Sequence, residues 1–208
     1  ANILLYASLL AEGDLPPEQT AQAATLCQQA EKLAFLIEGL VKASRLETGI
    51  LTTAPEAGSV GGLLEDAARQ AAPAAEKKNI CLEVVPFSGQ ARFDKKWTGE
   101  ALFNVVDNAV KYSAAGGSVQ VSLFQKQGQV TLTVGDNGAG IPEEDIPRIF
   151  ERFYRVDKAR SRESGGTGLG LSIAREIVQR HHGTIALAPH EGPGTTVRIT
   201  LPITQPQG

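Results

Sequence analysis

The 208-residue sequence has no methionine, two cysteines, one tryptophan and three histidines, and aromatics make up 5% of it. Each scarcity excludes something. Two cysteines cannot build the dense disulfide framework of a small secreted domain, and no Cys/His cluster has zinc spacing. Cys27 and Cys81 lie in apolar surroundings, so both are expected to be buried thiols of a reducing, cytoplasmic compartment. The longest uncharged apolar run, ANILLYASLLA at 1–11, falls far short of the ~20 residues a membrane span needs. No basic segment precedes it, so it is not a signal peptide. Net charge is −3, which gives no general attraction for nucleic acid or an anionic membrane. No nucleic-acid partner and no membrane contact by this chain are expected.

The absence of an initiating Met leads to a second expectation. Ile3, Tyr6, Leu9 and Leu10 already lie on one helical face with no N-cap before them, as if the chain began inside a helix. Gly13 would stop that helix and DLPPE at 14–18 would start the next. The second helix is expected to run to about Leu46. Leu26, Ala30, Leu33, Ile37, Leu40 and Ser44 repeat on it in a 4-3-4-3-4 seam. Two short-linked helices cannot enclose a core alone, so the hairpin at 1–50 is read as half of a four-helix bundle made by a homodimer.

Glycine and proline then punctuate the chain. Residues 51–61 read as a linker. Helices are expected at 62–77, 96–112 and 167–182, and a strand at 79–86. Hairpins are expected at 118–136, around Gly128, and at 183–202. This order predicts an α+β fold over 62–203: a two-layer sandwich with a mixed, mainly antiparallel sheet and helices on one face.

Several stretches carry chemistry. FNVVDNAVKYS at 103–113 places Asn104 and Asn108 four apart on one helix face, followed by Lys111 and Tyr112. Asn is a poor helix former, so two amides on one face call for a reason. An amide oxygen is a neutral hard ligand suited to Mg²⁺ that already holds triphosphate oxygens, and Lys111 offers a point charge to phosphates. DNGAGIP at 136–142 leaves a strand. Asp136 could accept from an exocyclic amine such as adenine's, with Gly138 and Gly140 letting a flat ring approach. GGTGLGL at 165–171 opens a helix whose N-terminal N–H groups and dipole would cradle phosphate. It is neither a Walker A loop nor a Rossmann fingerprint. Between them, IFERFYRVDKARSRES carries Arg152, Arg155, Lys158, Arg160 and Arg162, a candidate cationic lid.

These motifs, in this order, resemble the ATP-binding domain of sensor histidine kinases, within the fold shared with gyrase, Hsp90 and MutL. FNVVDNAVKYS resembles the N box, DNGAGIP and GGTGLGLSIAREIV the two glycine boxes, IFERFYR the F box, and EGPGTT (191–196) the last glycine turn. The hairpin resembles the family's dimerisation and phosphotransfer bundle. The resemblance implies ATP and Mg²⁺ as cofactors, with Asn108 as metal ligand and Asn104 and Lys111 in catalytic positions. It implies nucleotide contacts by Asn104, Asn108, Lys111, Tyr112, Asp136, Gly138, Gly140, Ile141, Arg152, Arg155, Gly166, Thr167, Gly168, Leu169, Gly170, Leu171 and Thr195. It implies a response-regulator receiver domain as partner and a membrane-anchored parent. The family's acceptor motif, His-acidic-x-x-Thr-Pro, is absent, and His181, His182 and His190 suit structural or solvated roles better. An ATPase switch of the gyrase kind would need a Glu where Asn104 stands, to activate water. A nucleotide-binding module without catalysis is the third alternative.

Overall fold

The computed structural model describes residues 9–10, 16–47, 54–87, 89–156, 167–190 and 192–203. The chain divides into two units, Ala1–Thr48 and Gly49–Gly208. In the first, helix α1 spans Pro17–Glu47. Its seam is open: Leu26, Leu33, Ile37 and Leu40 are each more than half exposed, while Ala23 is buried. The expected end of a preceding helix at Gly13, and the Asp14 cap, lie outside the described residues.

In the second unit, α2 (Val60–Lys77) starts where the Ser59 side chain accepts from Gly62 N at 3.2 Å. Leu63, Leu64, Ala67, Ala71 and Ala75 form its buried stripe, at the three- and four-residue spacing of one helical face. Helix α3 (Lys95–Tyr112) starts at Asp94, whose Oδ1 accepts from Trp97 N at 3.0 Å. It buries Trp97, Ala101, Leu102, Val105, Val106, Ala109 and Val110. Burying a leucine as fully as Leu102, which has 0% exposure, is worth about 1.5–3 kcal/mol. Helix α4 (Gly170–Arg180) buries Ile173, Ala174, Ile177 and Val178.

The main sheet contains β2 (Cys81–Val84), β4 (Ser118–Lys126), β5 (Gln129–Asp136), β6 (Thr184–Ala188) and β7 (Thr195–Pro202). Their order is β2-β4-β5-β7-β6, with β2 parallel to β4 and the other pairs antiparallel. Val121 pairs with Val134 and Leu132 with Ile199, so these apolar residues share one face. α2, α3 and α4 pack together against that sheet. The expected α+β two-layer sandwich is what forms. The hairpin turns at Gln127-Gly128, both with positive φ.

Two expectations need correction. The segment read as a linker contains β1 (Glu56–Ser59), which pairs antiparallel with an unexpected strand β3 (Gln90–Phe93). Ser59 then caps α2 directly. Neither cysteine is a buried thiol: Cys81 is exposed and Cys27 half-buried. In β2 the alternation falls the other way, and the buried residue there is Ile80, just before the strand. No helix among the described residues is long and apolar enough to cross a membrane.

Candidate functional site

On α3, Asn104 and Asn108 continue the row begun by the buried Trp97 and Ala101, at the flank of the apolar stripe, and this flank meets the first turn of α4. A Cβ on Gly170 would stand 3.4 Å from both Asn104 Oδ1 and Asn108 Nδ2. The glycine that opens α4 therefore lies directly against the two amides. Asn104 Nδ2 is buried there without a hydrogen-bond partner among the described residues. A buried amide donor without a partner costs about 1–3 kcal/mol. It is tolerated where a ligand supplies the missing acceptor. Rotating either amide by half a turn presents oxygen in place of nitrogen. The pair thus suits phosphate oxygens in one pose and a hard cation in the other.

The approach to α4 is shaped by Gly168, at φ +72°. A Cβ there would fall 2.7 Å from both Phe153 C and Tyr154 O. Its carbonyl accepts from Phe153 N at 2.9 Å, which fastens the F-box segment to the second glycine box. Leu169 is buried and Ser172 Oγ donates to its carbonyl at 2.9 Å. Leu171 is half-buried. Gly166 lies outside the described residues, as do Lys158, Arg160 and Arg162.

The C-terminus of α3, one turn beyond Asn108, meets the first glycine box. Asp136, at the end of β5, is 8% exposed, and its Oδ1 accepts from Gly138 N at 2.9 Å. Burial pushes its carboxyl above the usual range; hydrogen bonds from the Gly138 and Thr195 amides and the nearby His190 act in the opposite direction. A Cβ on Gly138 would lie 2.6 Å from the Tyr112 carbonyl, so α3 and this loop touch backbone to backbone. The 192–194 turn closes behind Asp136. His190 steadies that turn, with Nδ1 2.7 Å from Thr196 Oγ1 and Nε2 3.2 Å from the Pro193 carbonyl. Asn137, which the sequence did not single out, accepts from Ser118 N at 2.8 Å and ties the loop to β4.

Some expected site residues are engaged otherwise. Lys111 Nζ is paired with Asp107 at 2.5 Å, one turn back on its own helix, and Tyr112 is 53% exposed. Arg152 and Arg155 line a cleft of about 570 Å³ formed with Arg148, Glu151, Phe153, Tyr154 and Val156. Tyr154 donates to Asp145, and the Arg148 guanidinium sits 4.3 Å from the centre of its ring. His181 is structural. It is 1% exposed, its Nδ1 lies 2.8 Å from the Ile177 carbonyl, and its Nε2 accepts from Asp94 N at 3.2 Å. Asp94 N is thereby joined to the end of α4. Among the described residues no group of three His, Cys, Asp or Glu side chains could hold a metal. A cation here would need ligand oxygens brought by something else.

The fold and the site define an α+β sandwich in which two amides of one helix stand against the glycine that opens another. Residues 93–205 match the family of histidine kinase-, DNA gyrase B-, and HSP90-like ATPases, and the chain belongs to that family. It is 34% identical over 203 residues to the sensor-like histidine kinase SenX3 of Mycolicibacterium smegmatis, covering 97% of this chain and 53% of that protein. It is 48% identical over 110 residues to the sensor histidine kinase WalK of Bacillus subtilis, covering 52% and 18%. Among solved structures, full-length ShkA in complex with AMPPNP superimposes with a TM-score of 0.79 at 25% identity, over 99% of this chain and 43% of that one. The chain thus spans about half the length of SenX3 and less of the other two. The resemblance to sensor histidine kinases read from the motifs is borne out.

Proposed function

We propose that this chain is the ATP-binding engine of a sensor histidine kinase. The observation that carries the reading is the pair of amides on α3 facing the glycine-opened N-terminus of α4, with Asn104 Nδ2 buried and lacking a partner among the described residues. ATP would place its phosphates between α3 and α4, beside the positive end of the α4 dipole. The adenine would lie over Gly138 and Gly140, its amine donating to Asp136. Asn108 would hold Mg²⁺, with Asn104 assisting at the metal and phosphates; the ion supplies charge neutralisation to the triphosphate when bound. Lys111 would turn from Asp107 to the phosphates, and Arg152 and Arg155 would approach from the F-box cleft.

In the whole protein the γ-phosphoryl would go to a histidine nitrogen on the dimerisation helix. The nitrogen lone pair forms the N–P bond, the bond to the β-phosphate oxygen breaks, and ADP leaves. The nucleophile brings its own lone pair, so this domain needs no strong base, and Asn104 where a water-activating Glu would stand agrees with that. A receiver-domain aspartate would then take the phosphoryl group. The open seam of α1 suits a homodimer, because half-exposed leucines at heptad spacing need a facing helix. The domain would work in the cytoplasm on a membrane-anchored parent.

The test is transfer of label from γ-labelled ATP to a longer chain carrying a histidine-bearing first helix. Label lost in acid and kept in alkali is the expected result. Steady phosphate release with no label on protein would overturn the kinase reading.

A further inference from the structure

Helix α3 carries the amides, and its C-terminus ends without a left-handed glycine: Ser113 is extended, at φ −66° and ψ 147°. A helix end leaves carbonyls that need partners. Here each has one. Ala109 O accepts from Ser113 N at 3.0 Å and from Ser113 Oγ at 2.7 Å. Lys78 Nζ donates to Val110 O at 3.0 Å, to Lys111 O at 2.6 Å and to Ser113 O at 3.0 Å. An ammonium has three N–H donors and no acceptor, so this set uses it completely. The carbonyl Lys78 leaves alone is that of Tyr112, which faces Gly138.

Lys78 is itself anchored. Its own N–H closes α2 on Ala75 O at 3.1 Å, and its carbonyl accepts from Gly116 N at 2.9 Å. The residue therefore joins the ends of two helices at the entry to β4. Burial pushes its ammonium below the usual lysine range. The positive charge also suits the negative end of the α3 dipole.

We infer that Lys78 is a positioning residue for the nucleotide site. By gathering two carbonyls of α3 and that of its cap residue Ser113, it sets the height of the Tyr112 carbonyl on which the Gly138 loop rests. It also fixes the backbone from which Lys111 projects. This rests on the proposed ATP reading but concerns a residue that touches no nucleotide.

The experiment compares the chain as it stands with Lys78→Met, and with Val130→Ala as a control matched in lost melting temperature. Val130 is buried at the far end of β5 from Asp136. Two readouts are taken at a temperature where all three are folded: the calorimetric Kd for ATP–Mg²⁺, and hydrogen exchange of the Gly138 amide without nucleotide. Lys78→Met is expected to weaken binding about tenfold and to speed Gly138 exchange by a similar factor, the scale of losing hydrogen bonds from a charged donor. Val130→Ala should leave both near the parent values. If Lys78→Met does not fold, Lys78→Gln, which keeps two donors without the charge, should show the same pattern at about threefold. Unchanged Gly138 exchange in the Lys78 variant, or an equal change in Val130→Ala, would overturn the positioning role. Failure of the parent chain to bind ATP would instead overturn the functional reading, and the exchange data would still decide the role of Lys78.

Discussion

The two units of this chain use apolar residues in opposite ways. In the Gly49–Gly208 unit, Leu64 and Leu102 reach 0% exposure and the helices close over one face of a five-stranded sheet. In α1, Leu26, Leu33, Ile37 and Leu40 follow a helical seam just as regular yet remain more than half exposed. The same 3.6-residue periodicity produces a finished core in one unit and an open stripe in the other. Periodicity specifies a face to be covered; it does not specify whether the cover comes from the same chain. Within the larger unit a similar contrast recurs on a single helix. One side of α3 is packed with Val105, Val106 and Val110, and the flank of that stripe presents Asn104 and Asn108 to the glycine at the start of α4.

The comparison can be broken most severely in the core. Leu102→Ala should cost about 2–5 kcal/mol and lower the melting temperature of the sandwich strongly, because its packed surroundings cannot fully collapse into the void. A melting shift of only a degree or two would show that α3 is less tightly packed than its burial implies.

Next in size is the polar side of the same helix. Asn108→Ala should weaken Mg²⁺-dependent ATP binding at least about tenfold while melting stays within about 0.5 kcal/mol of the parent. Equal affinities by calorimetry would remove the metal role from Asn108.

Asp136 gives a smaller, pH-dependent effect. Its carboxyl titrates above the usual range because it is buried. Burial disfavours the charged form, so its charge weakens folding as pH rises through the raised value, and protonation at lower pH relieves that cost. Binding should run the other way. The ionised carboxylate is the better acceptor for an amine, so ATP affinity should fall on acidification, at a pH above that of an ordinary aspartate. Asp136→Asn should abolish this slope and the preference for ATP over GTP without lowering the melting temperature at neutral pH. A preserved ATP preference in the variant would contradict the assignment.

The smallest effect on single-chain stability is expected on the open seam. Leu33→Ser with Ile37→Ser should change melting of the sandwich by less than about 0.5 kcal/mol, since both side chains are already exposed. The same pair should shift any dimer seen by sedimentation toward monomer. Loss of the folded sandwich in this variant would show that the hairpin supports it within one chain.

Much of this was legible in the residues, for reasons that also explain what was not. The hairpin around Gly128 and the amphipathic helices follow local rules: alternation in β4 and β5, three- and four-residue spacing in α2 and α3. The amides stood out because Asn is out of place in a helix. Strands β1 and β3 were missed because each has four residues, Glu-Ala-Gly-Ser and Gln-Ala-Arg-Phe, with little β propensity. They form because they pair with each other across more than thirty residues of chain. Cys81 was misplaced because a four-residue strand gives too few positions to fix which face is inward. Nothing in the sequence around Lys78 points to its role. Its three acceptors lie 32, 33 and 35 residues away, beyond any local pattern.

The measurement that tests the account most directly is calorimetric titration of this chain with ATP, with and without Mg²⁺, beside Asn108→Ala. Saturable one-to-one binding that tightens with Mg²⁺ in the parent chain, and loses that tightening in the variant, is the result the amide–glycine site predicts. No binding by the parent chain, or the same Mg²⁺ dependence in both proteins, would contradict it.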